Sequence, residues 1–201
     1  MSDAGTPAAA VEPEEQARAD LYGLLSRFFY APADRQLLKE LGGAGAPAEG
    51  GGDLVDAWRA LQEACRLADP EAVRQEYDGL FVGVGRAEVS PYLSGYAEPA
   101  APDRFLVRLR EQLSALKLAR RDGSFEVEDH VSGLLDVMRW LIGGGRSLAE
   151  QQAFFSEFVL PGTVPFYAAV RQSVSADFYK AVATFADAFG VVEQSAFRME
   201  E

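Results

Sequence analysis

The sequence predicts an all-α protein, a single globular domain of about eight or nine helices. Apolar residues recur at helical spacing in one segment after another. No stretch shows the sustained two-residue alternation, bounded by hairpin turns, that indicates paired strands. With 201 residues, 48% of them hydrophobic, the chain is long enough to bury one substantial core.

Helix starts and stops are clearest in the first third of the chain. An apolar stripe predicts a helix from Pro13 to Tyr30, and its members are Leu21, Leu24, Leu25, Phe28 and Phe29. A short helix is predicted from Asp34 to Leu41, ended by the glycines at 42 and 43. Asp53 is predicted to cap a further helix. Another is predicted to start at Asp69-Pro70, with Asp69 as its cap and Pro70 in the first helical position.

The later helices follow the same kind of signal. One helix is predicted from Pro102 to about Arg120, and the next from a cap at Asp129 to the glycines at 143–145. Ser147 and Glu150 have the spacing of a capping box and predict the start of a third. The last is predicted from a cap at Ser175 to Phe189. We expect Pro161, Gly162 and Pro165 to interrupt the chain. Gly190 is expected to stop the last helix.

We expect one helical domain from residue 17 to residue 190. The small, polar segment 1–16 is interpreted as a disordered tail, and segment 191–201 as a weakly specified C-terminal tail. The Gly-rich run 42–52 predicts a flexible loop inside the domain. Because hinge loops permit helices to exchange between protomers, we expect either a monomer or a domain-swapped dimer.

The net charge of −12 makes nucleic acid a poor candidate for a partner and a basic peptide a better one, although charge alone favours simple solubility as its explanation. No apolar run approaches the roughly 20 residues that span a bilayer, and segment 1–16 lacks the basic and apolar regions of a secretory signal. Cys65 is the only cysteine and can form no intramolecular disulfide. We therefore expect a cytoplasmic protein that neither inserts into a membrane nor binds nucleic acid.

His130, the only histidine, is the first candidate for chemistry. Glu126 lies four residues earlier, but a metal site needs about three or four ligands, and no second histidine or spare cysteine is present. No nucleophile elbow accompanies it. We interpret Asp129 as a helix cap and His130 as hydrogen-bonded to a neighbouring loop. The alternative is an enzyme that uses Asp129 and His130 as an acid–base pair on a small molecule.

The paired glycines at 83 and 85 and the basic residues after Pro102 are both interpreted as structural features. Gly83-Val84-Gly85 lacks a third glycine and a following Lys-Ser/Thr pair, so it predicts a helix end and turn rather than a phosphate-binding loop. It leaves only weak guanine-nucleotide binding open. The basic residues after Pro102, among them Arg108 and Arg110, are interpreted as a solvated helix face.

The most specific segment runs from Glu76 to Tyr96, with the sequence EYDGLFVGVGRAEVSPYLSGY. It starts as an amphipathic helix with Tyr77 and Phe81 on its apolar stripe and then becomes a loop that carries Pro91, Tyr92 and Tyr96. Large aromatic rings are costly to leave in water, so such a loop either packs on its own domain or offers a surface to a partner. For Tyr77 and Phe81 we favour packing, because they lie on the stripe.

This segment resembles the pattern E-Y-x-x-L-F-x-G-P-G-x-x-x-x-x-P-Y-x-S-x-Y of the TorD/DmsD/NarJ family of redox-enzyme maturation chaperones. The matching positions are Glu76, Tyr77, Leu80, Phe81, Gly83, Gly85, Pro91, Tyr92, Ser94 and Tyr96. A second family pattern, an acidic-Asp-His run that opens a helix, matches residues 128–130. The chain departs from the family at Val84, where proline is usual, and at Phe158 and Gly162, where a third pattern has histidine and tryptophan.

The resemblance implies a TorD-like helical fold and a cytoplasmic chaperone that is not an enzyme. Such a chaperone binds the apo catalytic subunit of a molybdenum-cofactor oxidoreductase, often with its twin-arginine leader. It has no cofactor of its own and holds the client open until molybdopterin guanine dinucleotide is inserted. On this basis we expect the client and leader to meet the following residues: Tyr77, Phe81, Pro91, Tyr92 and Tyr96 as an apolar wall, Asp129 and His130 at its rim, and Glu126 and Glu128 for the leader's arginines.

Overall fold

The computed structural model describes residues 12–45, 51–83, 87–118 and 128–199. In these ranges every regular element is helical, and the β pairing is an isolated bridge between Tyr92 and His130. The predicted all-α class is confirmed. The loop prediction for residues 42–52 falls partly on residues 46–50, which lie outside the described residues.

The helices are α1 Pro13–Tyr30, α2 Arg35–Gly42, α3 Asp53–Leu67, α4 Pro70–Tyr77, α5 Ser94–Ala97, α6 Pro102–Ala115, α7 Val131–Gly143, α8 Leu148–Phe154, α9 Leu160–Gln172 and α10 Phe178–Met199. Two π-helical segments, Asp78–Val82 and Phe155–Val159, extend α4 and join α8 to α9. Helix α6 ends at Ala115 rather than near Arg120, and Lys117 follows with a φ of 59°. Helix α3 is capped by Gly52, with Asp53 as its first residue rather than its cap.

An aromatic core holds these helices together. Helix α1 lies along α7, while α10 packs on α3 and α9. The ring of Phe29 lies at the centre, because α1 carries it toward α9, α10 and the first π-helical segment. Its aromatic neighbours are Phe81, Phe166, Tyr167 and Tyr179. Four elements distant in sequence therefore share one cluster, as a single core requires.

Helix α10 continues past Gly190 to Met199, so the predicted stop at Gly190 is wrong. The extra turns are fixed by nonlocal contacts. Buried Glu193 accepts hydrogen bonds from Arg18 Nε at 2.8 Å and from the Tyr22 hydroxyl at 3.0 Å. Phe197 is buried against Phe155, and the Arg18 guanidinium lies over its ring. A glycine in a helix costs only about 1 kcal/mol, which these contacts offset.

The expected interruption at Pro161, Gly162 and Pro165 is also wrong, because the backbone stays helical from Leu148 to Gln172. Pro161 lies in the first turn of α9, just after the π-helical segment, where a helix tolerates a missing N–H donor. By length and mean hydropathy this 25-residue run could cross a membrane, but half of its most apolar window is buried inside the fold. The same combination is found in core helices of soluble proteins.

The start of α10 is fixed by a residue distant in sequence. The sequence predicts a local cap at Ser175, whereas the helix begins at Phe178. The carboxylate of Glu76 accepts hydrogen bonds from the backbone N–H groups of Asp177, Phe178 and Tyr179, at 2.8, 3.0 and 2.8 Å. A carboxylate at this position satisfies unpaired donors and also complements the helix dipole. Glu76, the first residue of the segment 76–96, therefore fixes the start of the last helix.

Candidate functional site

The loop before α5 and the residues before α7 are joined by a two-residue antiparallel bridge. Tyr92 pairs with His130. The Leu93 N–H donates to the Asp129 carbonyl, and the Val131 N–H donates to the Pro91 carbonyl, both at 2.9 Å. The two segments that carry the family resemblance therefore form one structural unit, which we call the bridge site (residues 90–96 and 128–132).

Asp129 and His130 are both buried, and their roles are the reverse of those expected from the sequence. His130 caps α7, because its Nδ1 accepts the Ser132 N–H at 3.3 Å and lies 2.7 Å from the Ser132 hydroxyl oxygen. The side chain of Asp129 reaches the neighbouring loop, where its Oδ2 accepts the N–H of Ser94 at 3.1 Å. Asp129 therefore positions the start of α5, and the prediction that it caps α7 is wrong.

The loop aromatics are divided between the surface and the core. Tyr92 is 38% exposed and its ring meets the His130 ring edge-on, with centroids 5.5 Å apart. Pro91 is buried, and half-buried Tyr96 packs against Phe166. Burial raises the pKa of Tyr96, and a hydrogen bond with the Ser90 backbone opposes the rise. Of the predicted apolar wall, Tyr92 offers the most surface to a partner.

Tyr77 and Phe81 lie inside the protein and pack against each other and against Tyr179. The Tyr77 hydroxyl donates to the carbonyl oxygens at the end of α1, at 3.1 Å to Phe29 and 2.8 Å to Tyr30. Both rings thus belong to the aromatic core around Phe29 and Tyr179, which agrees with their place on the helical stripe. Their contribution to a client-binding wall stays a prediction.

Of the carboxylates expected to receive arginine, Glu128 lies in the described part of the chain and Glu126 lies outside it. The Glu128 side chain is 22% exposed, and its Oε2 is 3.3 Å from Nη2 of Arg110 on α6. The α6 arginines are therefore not simply solvated. Arg108 bridges Glu98 and Glu157, so both arginines tie α6 to its neighbours.

Metal chemistry and a reactive thiol find no support in the part of the chain that the structure describes. Among those residues, no group of three or more His, Cys, Asp or Glu side chains is arranged to hold a metal ion. Cys65 is buried, and burial raises the pKa of its thiol to about 11. A neutral, buried thiol is a poor nucleophile.

Of the three positions that depart from the family pattern, Phe158 and Gly162 are buried, and Val84 lies outside the described residues. Phe158 lies between Phe105 and Phe154, with ring centroids 5.7 and 5.3 Å away. Gly162 faces the bridge site so closely that an added Cβ would lie 2.6 Å from Leu93 Cβ. In this arrangement, a side chain at position 162 would displace the loop that carries Tyr92.

Comparison with known proteins places the chain in a family. The nitrate reductase delta subunit family matches residues 51–167, more than half of the chain. The chain belongs to this family. A chaperone protein TorD of Shewanella loihica is 29% identical over 189 residues, which cover 85% of this chain and 88% of that protein. An uncharacterized protein of Haemophilus influenzae is 30% identical over 115 residues, or 57% of this chain and 56% of that protein.

This is the TorD/NarJ family of maturation chaperones, so the resemblance drawn from residues 76–96 and 128–130 is confirmed. Membership makes the chain a molybdoenzyme maturation chaperone rather than an enzyme. The acid–base alternative also loses its structural basis, because Asp129 and His130 are buried and use polar atoms to hold the bridge site and α7.

Sequence reasoning missed three residues that shape the bridge site: Leu93, Gly162 and Arg110. Leu93 and Gly162 contact each other across almost 70 residues of sequence. A contact of this kind produces no repeating pattern of residues from which it could be predicted. Arg110 did carry a signal. An arginine on a helix with few nearby carboxylates of its own is a candidate for a distant ion pair.

Proposed function

We propose that the chain binds the apo catalytic subunit of a molybdenum-cofactor oxidoreductase, including its twin-arginine leader. It keeps that subunit open until molybdopterin guanine dinucleotide has been inserted, and so delays export. Both steps belong to the cytoplasm, which is where we propose that the chain acts. The bridge site is the proposed contact surface.

One observation carries this proposal: Tyr92, which is 38% exposed, pairs with His130 in the two-residue bridge, and Glu128, which is 22% exposed, lies two residues before His130. A leader that pairs arginines with an apolar stretch needs a carboxylate beside an aromatic surface. The bridge fixes the spacing between the two, since both of its strands are hydrogen-bonded. A preorganised site loses less conformational entropy when a peptide binds.

The charge of the whole chain supports the same kind of partner. A net charge of −12 attracts a cationic leader and raises its association rate at low ionic strength. The proposal includes no cofactor resident in the chaperone, because the molybdopterin group belongs to the client. Weak guanine-nucleotide binding, and the choice between monomer and domain-swapped dimer, stay predictions. Size-exclusion chromatography with light scattering tests the latter.

The experiment is an affinity pull-down of the tagged full-length chain from its native cytoplasm, with mass spectrometry of the bound proteins. We expect an apo molybdoenzyme catalytic subunit to be the dominant partner. Tyr92→Ala should lower its recovery several-fold. The matched control is Tyr30→Ala, which removes an exposed tyrosine at the end of α1 and should leave recovery unchanged.

Two results would count against the proposal in different ways. If cells that express such a subunit yield none with the wild-type chain, client binding itself is rejected. If the subunit is recovered equally with wild type, Tyr92→Ala and Asp129→Ala, all correctly folded, the chain binds its client at a surface other than the bridge site.

A further inference from the structure

The ion pair between Arg110 and Glu128 bears on how the bridge site admits a cationic ligand. Nη2 of Arg110 is 3.3 Å from Oε2 of Glu128, and the Arg110 side chain remains 54% exposed. The arginine therefore pairs with the carboxylate at the protein surface, where its guanidinium is in contact with solvent. Glu128 is the less exposed partner, at 22%.

The neighbouring acid cannot take over the role of Glu128. Asp129 is 2% exposed, and its Oδ2 already accepts the N–H of Ser94. Turning that carboxylate outward would break the bond that positions α5 and would leave the buried N–H of Ser94 unpaired, which is unfavourable. Within residues 128–132, Glu128 is therefore the carboxylate that a ligand guanidinium can reach.

We propose that Arg110 is a specificity-determining residue of the bridge site, whose guanidinium holds the place on Glu128 that an arginine of the ligand takes. The inference rests on the proposed function. Binding then exchanges one ion pair for another, so the net gain is only the difference between them. A ligand without a cationic group gains nothing by displacing Arg110, because it brings no positive charge to replace the guanidinium.

The test uses the full-length chain and two synthetic leader peptides, one with consecutive arginines before an apolar stretch and one with glutamines in their place. Their affinities are measured by calorimetry at fixed ionic strength. For Arg110→Gln we expect about two- to fivefold tighter binding of the arginine peptide, the range set by an exposed ion pair. Binding of the glutamine peptide should not change.

Arg108→Gln is the matched control, because it removes the same charge from the same helix but pairs with Glu98 and Glu157 instead. It should leave the affinity for the arginine peptide within the error of the measurement. In a Glu128→Gln background, Arg110→Gln should give no gain. Together these variants separate competition at Glu128 from a general effect of net charge.

The outcomes distinguish the inference from the proposed function. If wild type prefers the arginine peptide but Arg110→Gln binds it no more tightly, Arg110 is not a competitor and the inference alone is rejected. Equal gains in Arg108→Gln and Arg110→Gln reject it as well. If wild type binds neither peptide, leader binding at this site is rejected and the inference falls with it, while recovery of the catalytic subunit in the pull-down would still support the chaperone role.

Discussion

Glu76, the first residue of the segment 76–96, stabilises a helix near the other end of the chain. Glu76 binds three backbone N–H groups at the start of α10, while the next residue, Tyr77, bonds to the end of α1. Adjacent side chains thus hold the two helices that build the core around Phe29. The role of this pair is structural, and it explains why the segment is so specific without direct contact to a partner.

Glu76→Ala should therefore lower the free energy of unfolding by about 1–3 kcal/mol, because three helix N–H groups lose their acceptor. Urea denaturation measures the change. The control is Glu40→Ala on the surface of α2, for which we expect less than about 0.5 kcal/mol. Equal stability of wild type and Glu76→Ala would show that the α10 start does not depend on this carboxylate.

At the scale of elements, the close approach of α9 to the bridge site determines where Tyr92 lies. Gly162→Ala would place a methyl group against Leu93, and overpacking of this kind costs about 1–3 kcal/mol. Gly95→Ala in α5 meets open space and should stabilise by up to about 1 kcal/mol. Thermal denaturation tests this by measuring whether the two variants change the stability of the fold in opposite directions.

Because His130 is the only histidine, its imidazole resonances report on the bridge site without ambiguity. Leu93 is hydrogen-bonded to Asp129, so a shifted loop should move those resonances in Gly162→Ala but not in Gly95→Ala. If Gly162→Ala leaves both the stability and the resonances unchanged, α9 does not position the loop.

The C-terminal turns of α10 give a second prediction at this scale. Phe197 is 3% exposed and packs against Phe155, so Phe197→Ala should destabilise the fold by about 3–5 kcal/mol. Met199 is 81% exposed two residues later, and Met199→Ala should cost less than about 0.5 kcal/mol. Similar small effects for both variants would mean that residues after Gly190 behave as the tail expected from the sequence.

Across the whole molecule, a buried thiol and several buried tyrosine hydroxyls are neutral in the folded state. We therefore expect the protein to lose stability at alkaline pH. Burial raises the pKa of the Cys65 thiol to about 11 and also raises the pKa values of Tyr22, Tyr167 and Tyr179. In the unfolded chain these groups lose their protons at lower pH. The folded state then binds more protons than the unfolded state, so stability falls as pH rises.

The free energy of unfolding should therefore decrease from about pH 9, with Cys65 alone contributing about 2 kcal/mol by pH 11. Urea denaturation at a series of pH values measures the slope. Cys65→Ala should flatten that slope without abolishing it, because the tyrosines remain. A free energy of unfolding that stays constant from pH 8 to 11 would contradict the assignment of these groups as buried and neutral.

How much of this molecule the sequence predicts depends on whether its contacts are local. Helical periodicity and the capping box at Ser147 are local, and they predict the fold class and most helix bounds. The end of α10, the continuity of α8 with α9 and the contact of Gly162 with Leu93 depend on distant partners. The bridge site is an intermediate case. The family resemblance gives Tyr92, Asp129 and His130, but neither Leu93 nor the exchange of roles between Asp129 and His130.

We propose that this chaperone recognises its client before the cofactor is present. The most direct measurement compares binding of the purified full-length chain to the catalytic subunit found in the pull-down, prepared with and without molybdopterin guanine dinucleotide. We predict a stable complex with the apo subunit and at least a tenfold weaker complex with the cofactor-loaded subunit. Equal affinity for the two forms, or no complex with the apo form, would contradict it.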